Sequence, residues 1–241
     1  LTRGVVRDAQ RLLMVSKALG QSAVDHYGAR ADQLDVIPNG VDGQLFKPRD
    51  RAAARQALGI EHDTELIIYV GRLVREKGLR ELVDAMRALS ESNPRARAVL
   101  IGDGPMRSEL ETLLQRTPES PMRLVGALAP ELVAQWMTAC DLVTLPSWSE
   151  GHPNVLVEAQ ACGRAVVACD VGGIGEIVDP DSSILVPPRN AVALRNALQT
   201  ALSRTWDEQA MADRHSRDWA AVARETLSAC KQALAMSTSR S

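Results

Sequence analysis

Two carboxylates, Glu150 and Glu158, lie with seven residues between them in the stretch from 146 to 163. Carboxylates accept hydrogen bonds from hydroxyl groups. A helix predicted to begin near Pro153 would offer free N–H groups to an anion, phosphate above all, and its side chains would lean back toward that end. A ligand with hydroxyl groups at both ends and phosphates in its middle would satisfy both kinds of group, and a nucleotide sugar is such a ligand. Acids also favour first helical turns through the helix dipole, so the spacing alone also fits a structural role.

Two basic residues, Arg72 and Lys77, lie in a loop bracketed by Gly71 and Gly78. Arginine offers phosphate a planar fork of donors, and lysine offers a mobile point charge. The loop is therefore a candidate phosphate-binding segment, and a solvated basic loop is the alternative.

Two further glycine-bearing loops follow predicted strands. Residues 102–105 read as a tight turn into a helix rather than as a ligand contact. Residues 171–176 follow the central stretch, so their glycines could line the same pocket, and Glu176 is predicted to open a helical turn. A Gly-x-Gly-x-x-Gly after the first strand and a Walker loop are both absent from the sequence, which argues against a dehydrogenase or a kinase.

Composition and charge exclude several classes of protein. Apolar residues make up 45% of the 241 residues and aromatic residues only 3%, so the core must be built from aliphatic side chains. A net charge of −2 argues against a nucleic-acid surface. No apolar run approaches about 18 residues and no signal peptide is recognised, so we expect a cytoplasmic protein without a membrane-spanning helix. The chain begins with Leu1, and we expect a piece of something larger.

The cysteines and histidines carry no metal-binding spacing. The cysteines contain no Cys-x-x-Cys pair and are expected to be reduced, mostly buried thiols, and they are Cys140, Cys162, Cys169 and Cys230. The four histidines are scattered as well, so no zinc site is predicted.

Residues 3–28 are predicted to be mostly helical, with Ser16 as the cap of a helix that runs to about Tyr27. A short strand at 34–37 precedes residues 38–42, whose Pro-Asn-Gly sequence is typical of a plain turn. Phe46, the only phenylalanine, is predicted to fill a hydrophobic gap. A short basic helix is predicted at 49–58, ended by Gly59.

From residue 65 onward, predicted strands and helices alternate regularly. Such alternation predicts an α/β fold with a parallel sheet and helices on both faces. The predicted strands are 65–70, 97–101, 123–125, 142–145, 165–168 and 183–186. The predicted helices are 79–90, 106–116, 131–139 and 154–162, with Gly163 as the stop of the last one, then a helical turn at 173–178 and a helical tail of 190–202, 206–214 and 219–235.

Taken together, these motifs resemble the C-terminal half of retaining glycosyltransferases of the GT-B type, family 4. The resemblance covers nearly the whole chain, and although each motif alone is weak, the ordered set is highly specific. The motifs are Val15-Ser16, residues 36–42 with Phe46 and Pro48, Gly71-Arg72-Leu73 with Glu76-Lys77-Gly78, residues 101–105, Val125-Gly126, Asp141, Glu150 with Glu158, Gly172-Gly173 with Glu176, and the tail around Trp219.

The resemblance implies a Rossmann-like, doubly wound parallel sheet that is the C-terminal half of a GT-B fold, with a helical tail. Residues 31–215 would form the nucleotide-sugar-binding domain, and residues 1–30 the end of an acceptor-binding N-terminal domain and its linker. Residues 216–235 would form a helix that crosses back toward that domain, and residues 236–241 a disordered tail.

The resemblance also implies roles for single residues. Arg72 and Lys77 would hold the diphosphate, Glu158 would hold the ribose hydroxyl groups, and Gly71 would also belong to the donor-binding residues. The turn from Gly126 to Leu128 would meet the base. The candidate catalytic residue, Glu150, would contact the transferred sugar and phosphate together with the segment Gly151, His152, Pro153, Asn154 and Val155.

Three positions depart from the family pattern. His152 stands where an aromatic residue is commoner, Asn154 follows Pro153, and Gly175 replaces a frequent proline before Glu176. These departures leave the identity of the sugar and the stiffness of the loop open. His152 could donate a hydrogen bond to a sugar hydroxyl group or merely fill the loop.

The implied activity is transfer of a hexose from a nucleotide diphosphate sugar to a glycan or lipid-linked acceptor, with retention of the anomeric configuration. Because Arg72, Lys77 and the helix N-terminus would stabilise the leaving diphosphate, no cofactor and no divalent metal are expected. Glu150 would be either a nucleophile or, as we favour, an orienting group.

The expected partners are the sugar-nucleotide donor, the protein's own N-terminal acceptor domain and, through that domain, the surface of a membrane; no nucleic acid is expected. This chain alone is expected to be inactive. The alternatives are an isolated nucleotide-diphosphate-binding module, or another GT-B enzyme such as a sugar-nucleotide epimerase. The base, the sugar, the acceptor and the oligomeric state stay open.

Overall fold

The computed structural model describes residues 3–115, 120–178 and 180–238. Residues 3–36 form a small unit of α1 (Arg3–Asp8), β1 (Leu12–Met14), α2 (Lys17–Tyr27) and β2 (Leu34–Val36). The two strands pair in parallel as a separate two-stranded sheet. This sheet joins residues from both sides of position 30, the predicted boundary between the N-terminal segment and the nucleotide-sugar-binding domain.

A six-stranded sheet, parallel at every pairing, forms the centre of the described residues. Its spatial order is β5-β4-β3-β6-β7-β8. The strands are β3 (Glu65–Val70), β4 (Ala96–Ile101), β5 (Met122–Gly126), β6 (Leu142–Leu145), β7 (Ala165–Cys169) and β8 (Ser183–Val186). The sheet grows in one direction from β3 and in the other from β6, so the topological switch point, where open α/β sheets bind ligands, lies between these two strands.

Helices cover both faces of this sheet, as right-handed crossovers require. On one face, α4 packs against α5 and α8; on the other, α3 packs against α6 and α7 against α9. The helices are α3 (Arg51–Leu58), α4 (Leu79–Ser92), α5 (Arg107–Gln115), α6 (Pro130–Ala139), α7 (Asn154–Ala161), α8 (Ala191–Ser203), α9 (Glu208–Arg214) and α10 (Trp219–Thr238). The fold is therefore the predicted α/β class, with a Rossmann-like doubly wound sheet.

The core is aliphatic, as the composition predicted. Strands β6 and β7 are buried along their whole length, which is typical of parallel strands covered on both faces. Phe46 is buried in this core and fills the predicted gap. Cys140, Cys162 and Cys169 are buried and Cys230 is exposed, which confirms the prediction of mostly buried cysteines.

Two predictions for the first 42 residues are wrong. Residues 12–14 form β1 and not part of a helix, because they pair with β2 more than twenty residues later. Residues 38–42 do not form a turn: Val41 makes a parallel bridge to Asp218, and the turn begins at residue 43. The helix cap at Ser16 is confirmed, since its side chain accepts a hydrogen bond from the N–H of Leu19 at 3.2 Å.

The other elements differ from prediction only at their ends. Helix α9 begins at Glu208 rather than at Trp206, and α10 continues to Thr238, three residues beyond its predicted end. The predicted end of the fifth helix, Arg116, and the last three residues of the predicted disordered tail lie outside the described residues.

Candidate active site

The loops that follow β3 and β6 meet at the switch point. Gly78, with φ +65°, lies so close to the second loop that a Cβ on it would be 2.0 Å from the carbonyl oxygen of Pro146. The N–H of Trp148 donates to the carbonyl oxygen of Glu76 at 2.8 Å. The two segments predicted to bind phosphate and sugar, 71–78 and 146–153, therefore form one continuous surface.

The two predicted phosphate ligands are held differently. Lys77 Nζ donates to Glu150 Oε1 at 2.5 Å, and both side chains are largely buried, with exposed fractions of 21% and 9%. Arg72 is exposed, and its guanidinium has no ion-pair partner among the described residues. Its carbonyl oxygen accepts a hydrogen bond from the hydroxyl group of the buried Tyr69 at 2.7 Å, which fixes the backbone and leaves the side chain available to a ligand.

Two helix N-termini open onto the same surface. Helix α4 begins directly after Lys77 and Gly78, and α7 begins after Pro153; neither has a side-chain cap. Helix α6 also lacks a side-chain cap, whereas side chains cap α2, α3, α8 and α9, from Ser16, Asp50, Asn190 and Asp207. The first N–H groups of α4 and α7 are thus left to an anionic ligand, which the helix dipole favours.

The second carboxylate, Glu158, lies one turn into α7 and is half-buried. Burial raises its pKa above the usual carboxyl range. Its carboxylate makes no hydrogen bond or ion pair in the part of the chain that the structure describes. A half-buried acceptor without a partner is suited to hydroxyl groups of a ligand.

His152 lies between Glu150 and Glu158 in the sequence. Its side chain is half-buried, and burial lowers its pKa. The negative charge of Glu176 acts on this pKa in the opposite direction. Its Nδ1 is buried without a hydrogen-bond partner in the described structure. Asn154 is exposed and accepts a hydrogen bond from the side chain of Asn39 at 2.7 Å, which joins the start of α7 to the segment after β2.

Gly126 and Leu128 lie apart from this surface, at the end of the edge strand β5. Gly126 has φ +80°, and its carbonyl oxygen accepts from the N–H of Gly102 at 2.8 Å. Leu128 is half-buried. Strands β3 and β4 separate this position from the switch point, so a ligand that spanned both would run along the carboxyl edge of the sheet.

The sequence analysis missed two aromatic residues that shape the site. Tyr69 is buried beneath Gly71, where a Cβ would lie 2.8 Å from the tyrosine hydroxyl oxygen. Trp148 donates from its indole N–H to Glu81 at 3.1 Å, and the guanidinium groups of Arg189 and Arg75 lie 4.5 and 5.8 Å from its ring centre. The only available signal was the rarity of aromatic residues in this chain.

The predicted position of Glu176 in its helical turn was wrong, and its contact with α2 was not predicted. Glu176 ends the helical turn Ile174–Glu176 instead of opening it. Its carboxylate accepts hydrogen bonds from the N–H groups of Lys17 and Ala18, at 2.7 and 2.8 Å, at the start of α2. The glycines before it do lie against the central stretch, as expected: a Cβ on Gly172 would be 1.8 Å from the carbonyl oxygen of Glu150.

Comparison with known proteins assigns a family to this arrangement. The family described as "Glycosyl transferases group 1" matches residues 64–204, which include the whole six-stranded sheet and both loops at the switch point. The chain belongs to the group 1 glycosyl transferases. Its Rossmann-like sheet is that of GT-B glycosyltransferases, which confirms the fold that the motifs implied.

Individual group 1 relatives are similar over most of the chain. TuaC of Bacillus subtilis is 35% identical over 195 residues, which are 80% of this chain and 47% of that protein. The D-inositol 3-phosphate glycosyltransferase of Nocardia farcinica is 32% identical over 95% of this chain and 54% of its own length. The crystal structure of Anabaena HepE in complex with UDP-glucose matches with a TM-score of 0.73 and 30% identity, over 98% of this chain and 65% of that one.

This glycosyltransferase chain thus spans about half the length of the curated relatives it matches. None of the helices in its described part combines the length and hydropathy that a bilayer crossing demands. Within the same residues, no three His, Cys, Asp or Glu side chains are grouped in a way that could hold a metal ion.

Proposed function

We propose that this chain is the donor-binding half of a retaining hexosyltransferase, which moves a hexose from a nucleotide diphosphate sugar to a glycan or lipid-linked acceptor. The observation that carries the proposal is the meeting of segments 71–78 and 146–153 at the switch point. There, the uncapped N-termini of α4 and α7 adjoin the ion pair of Lys77 and Glu150, with Arg72 on the first segment and Glu158 one turn into α7. The N–H groups and cations suit a diphosphate, and the carboxylates suit hydroxyl groups.

The leaving diphosphate gathers negative charge as the bond to the sugar breaks. Arg72, Lys77 and the first N–H groups of α4 and α7 would stabilise that charge in place, without reorganisation during the reaction. In this proposal no metal is needed, because these donors supply the positive charge. Lys77 would exchange its partner Glu150 for the diphosphate, or bridge the two.

The pairing of Glu150 favours an orienting role over a nucleophilic one. Its carboxylate lies 2.5 Å from the ammonium group of Lys77 and is 9% exposed. A carboxylate held by a cation is a weaker nucleophile and a well-fixed acceptor. Glu150 would then hold a hydroxyl group of the sugar, together with residues 151–155, while the acceptor enters on the face of the leaving group.

The ligands of a similar protein of known structure support a uridine donor as the first to test. HepE was crystallised with UDP and with UDP-glucose, and it resembles this chain at 28–30% identity. A thermal-shift screen of this chain with UDP-, GDP- and ADP-sugars should raise the melting temperature with one base class, because a ligand that binds only the folded state stabilises it. No shift with any sugar nucleotide at millimolar concentration would refute donor binding.

A transfer assay separates the enzyme from a simple binding module. The protein that joins this chain to an acceptor-binding domain should release nucleoside diphosphate only when acceptor is present, and this chain alone should bind donor without turnover. Mass spectrometry should show the sugar joined to the acceptor, and the coupling constant of the anomeric proton in the NMR spectrum of the product should show that the anomeric configuration is kept. An altered sugar nucleotide formed without acceptor would indicate an epimerase instead.

A further inference from the structure

Glu176 caps helix α2 from a distant part of the chain. Its two carboxylate oxygens accept from the N–H groups of Lys17 and Ala18, and Ser16 accepts from the N–H of Leu19. Three of the N–H groups that a helix leaves unpaired at its start are therefore satisfied. Because two of these three N–H groups donate to Glu176, hydrogen bonds join α2 to the loop 171–176.

The same loop rests on the backbone of the proposed donor site. A Cβ on Gly172 would lie 1.8 Å from the carbonyl oxygen of Glu150, and one on Gly173 would lie 2.2 Å from the carbonyl oxygen of Gly151. From the other side, Leu19 of α2 lies 2.9 Å from the position a Cβ on Gly151 would occupy. Gly151 is thus enclosed between the loop and α2, the two elements that Glu176 joins.

We propose that Glu176 is a positioning residue of the donor site, which acts through Gly172 and Gly173 on the segment 150–152. Both of its oxygens are engaged by α2, so it acts on the sugar only through that segment. The inference rests on the proposed function, because the segment it holds is the one expected to contact the transferred sugar. The backbone of Arg72 is held by a different contact, from the hydroxyl group of Tyr69.

The test compares Glu176→Ala with Asp50→Ala in the complete transferase. Asp50 is a matched control, because it caps α3 by accepting from the N–H of Ala53 at 3.0 Å and is not part of the site. Hydrogen–deuterium exchange of the amides in 17–19 and 150–155 should rise about tenfold in Glu176→Ala and stay unchanged in Asp50→Ala, since only the first opens these segments locally.

Kinetics supply a readout that loss of stability alone would not move. In Glu176→Ala, kcat for sugar transfer should fall about tenfold or more through misplacement of the sugar. The affinity for free nucleoside diphosphate should fall by a smaller factor, because Arg72, Lys77 and the start of α4 also hold the diphosphate in the proposed site. Glu176→Gln keeps the shape of the side chain but offers one acceptor oxygen instead of two, so its kcat should lie between those of the wild type and Glu176→Ala. This variant replaces Glu176→Ala in the test if the alanine variant does not fold.

Two results would overturn the proposal: exchange in 150–155 equal in Glu176→Ala and Asp50→Ala, or an unchanged kcat in an otherwise active enzyme. Failure of the proposed function has a different signature. In that case the wild-type protein would bind no sugar nucleotide, while the exchange measurements would still report whether Glu176 holds the loop.

Discussion

The charged side chains at the switch point differ in how firmly the protein itself holds them. Lys77 is paired with Glu150, whereas Arg72 is exposed and has no ion-pair partner among the described residues. An arginine left available at a site of two uncapped helix N-termini is the group most able to meet a diphosphate. Arg72 is therefore the residue at which the electrostatic proposal is most easily tested.

Replacing Arg72 by alanine should lower turnover of donor by the complete transferase by about a hundredfold, because one preorganised donor to the leaving group is lost. Arg75→Ala is the matched control: it removes an exposed arginine from the same loop, but one whose guanidinium lies over Trp148. Steady-state kinetics on both variants decide the matter. Equal losses would mean that the loop needs only positive charge, and unchanged turnover in Arg72→Ala would remove the electrostatic argument.

Glu158 gives a prediction about pH. Burial raises its pKa, so the folded state binds a proton more tightly than the unfolded state, and stability falls as pH rises through the folded pKa. Glu158→Gln removes this cost. Its melting temperature should equal or exceed that of the wild type at pH 7. The difference between the two melting temperatures should shrink as the pH is lowered toward the ordinary carboxyl pKa of about 4.3.

The same variant should bind nucleoside diphosphate more weakly and leave the affinity for inorganic pyrophosphate, which has no ribose, unchanged. Thermal melts across pH and calorimetry with the two ligands measure both effects. A variant less stable than wild type at pH 7, or weakened equally toward both ligands, would show that the carboxylate is held by contacts other than those of a ribose site.

At the scale of elements, the glycine that starts α4 sets how closely two loops approach. Gly78 and Gly59 have nearly the same left-handed backbone, with φ +65° and +64°. A Cβ on Gly78 would lie 2.0 Å from the carbonyl oxygen of Pro146, whereas one on Gly59 would meet nothing within 4 Å. The two positions therefore separate the cost of the backbone conformation from the cost of the contact.

Gly59→Ala should lose about 1–2 kcal/mol of unfolding free energy, the cost of a left-handed residue with a Cβ. Gly78→Ala should lose clearly more and should also weaken donor binding, because the loops 71–78 and 146–153 must separate. Urea denaturation of both variants gives the comparison. Equal losses at the two positions would show that the loops part easily, and the single continuous surface would no longer be a requirement of the site.

The elements of the main sheet were predictable because each is marked locally. The mostly apolar run 142–145 lies between Asp141 and Pro146, and α4 buries Leu79, Leu82, Met86 and Leu89 at helical spacing. Strand β1 was not predictable, since a short apolar run fits helix and strand alike and only its pairing with β2 decides. The positions of Arg72, Lys77 and Glu150 could be proposed from the sequence, but the contact of Glu176 with α2 spans 159 residues and has no local signature.

At the scale of the whole molecule, large exposed apolar residues gather in the first 36 residues and in α10. They are Val5, Leu13, Leu19, Tyr27, Val36, Trp219, Leu227 and Leu234. The chain spans about half the length of its curated relatives, and clustered exposed apolar side chains are typical of interaction sites. These features support the proposal that the acceptor-binding domain packs against β1, β2 and the last helix.

That packing predicts an effect that depends on chain length. Leu13→Glu and Val36→Glu place charges on exposed strand residues, so each should change the unfolding free energy of this chain by less than about 0.5 kcal/mol. In the protein that also carries the acceptor domain, each would bury an unpaired charge and should cost more than about 2 kcal/mol. Val192→Glu, at the most exposed of the large apolar side chains named for the described residues, is the control and should be neutral at both lengths. If all three variants behave alike in the longer protein, the acceptor domain does not cover this surface.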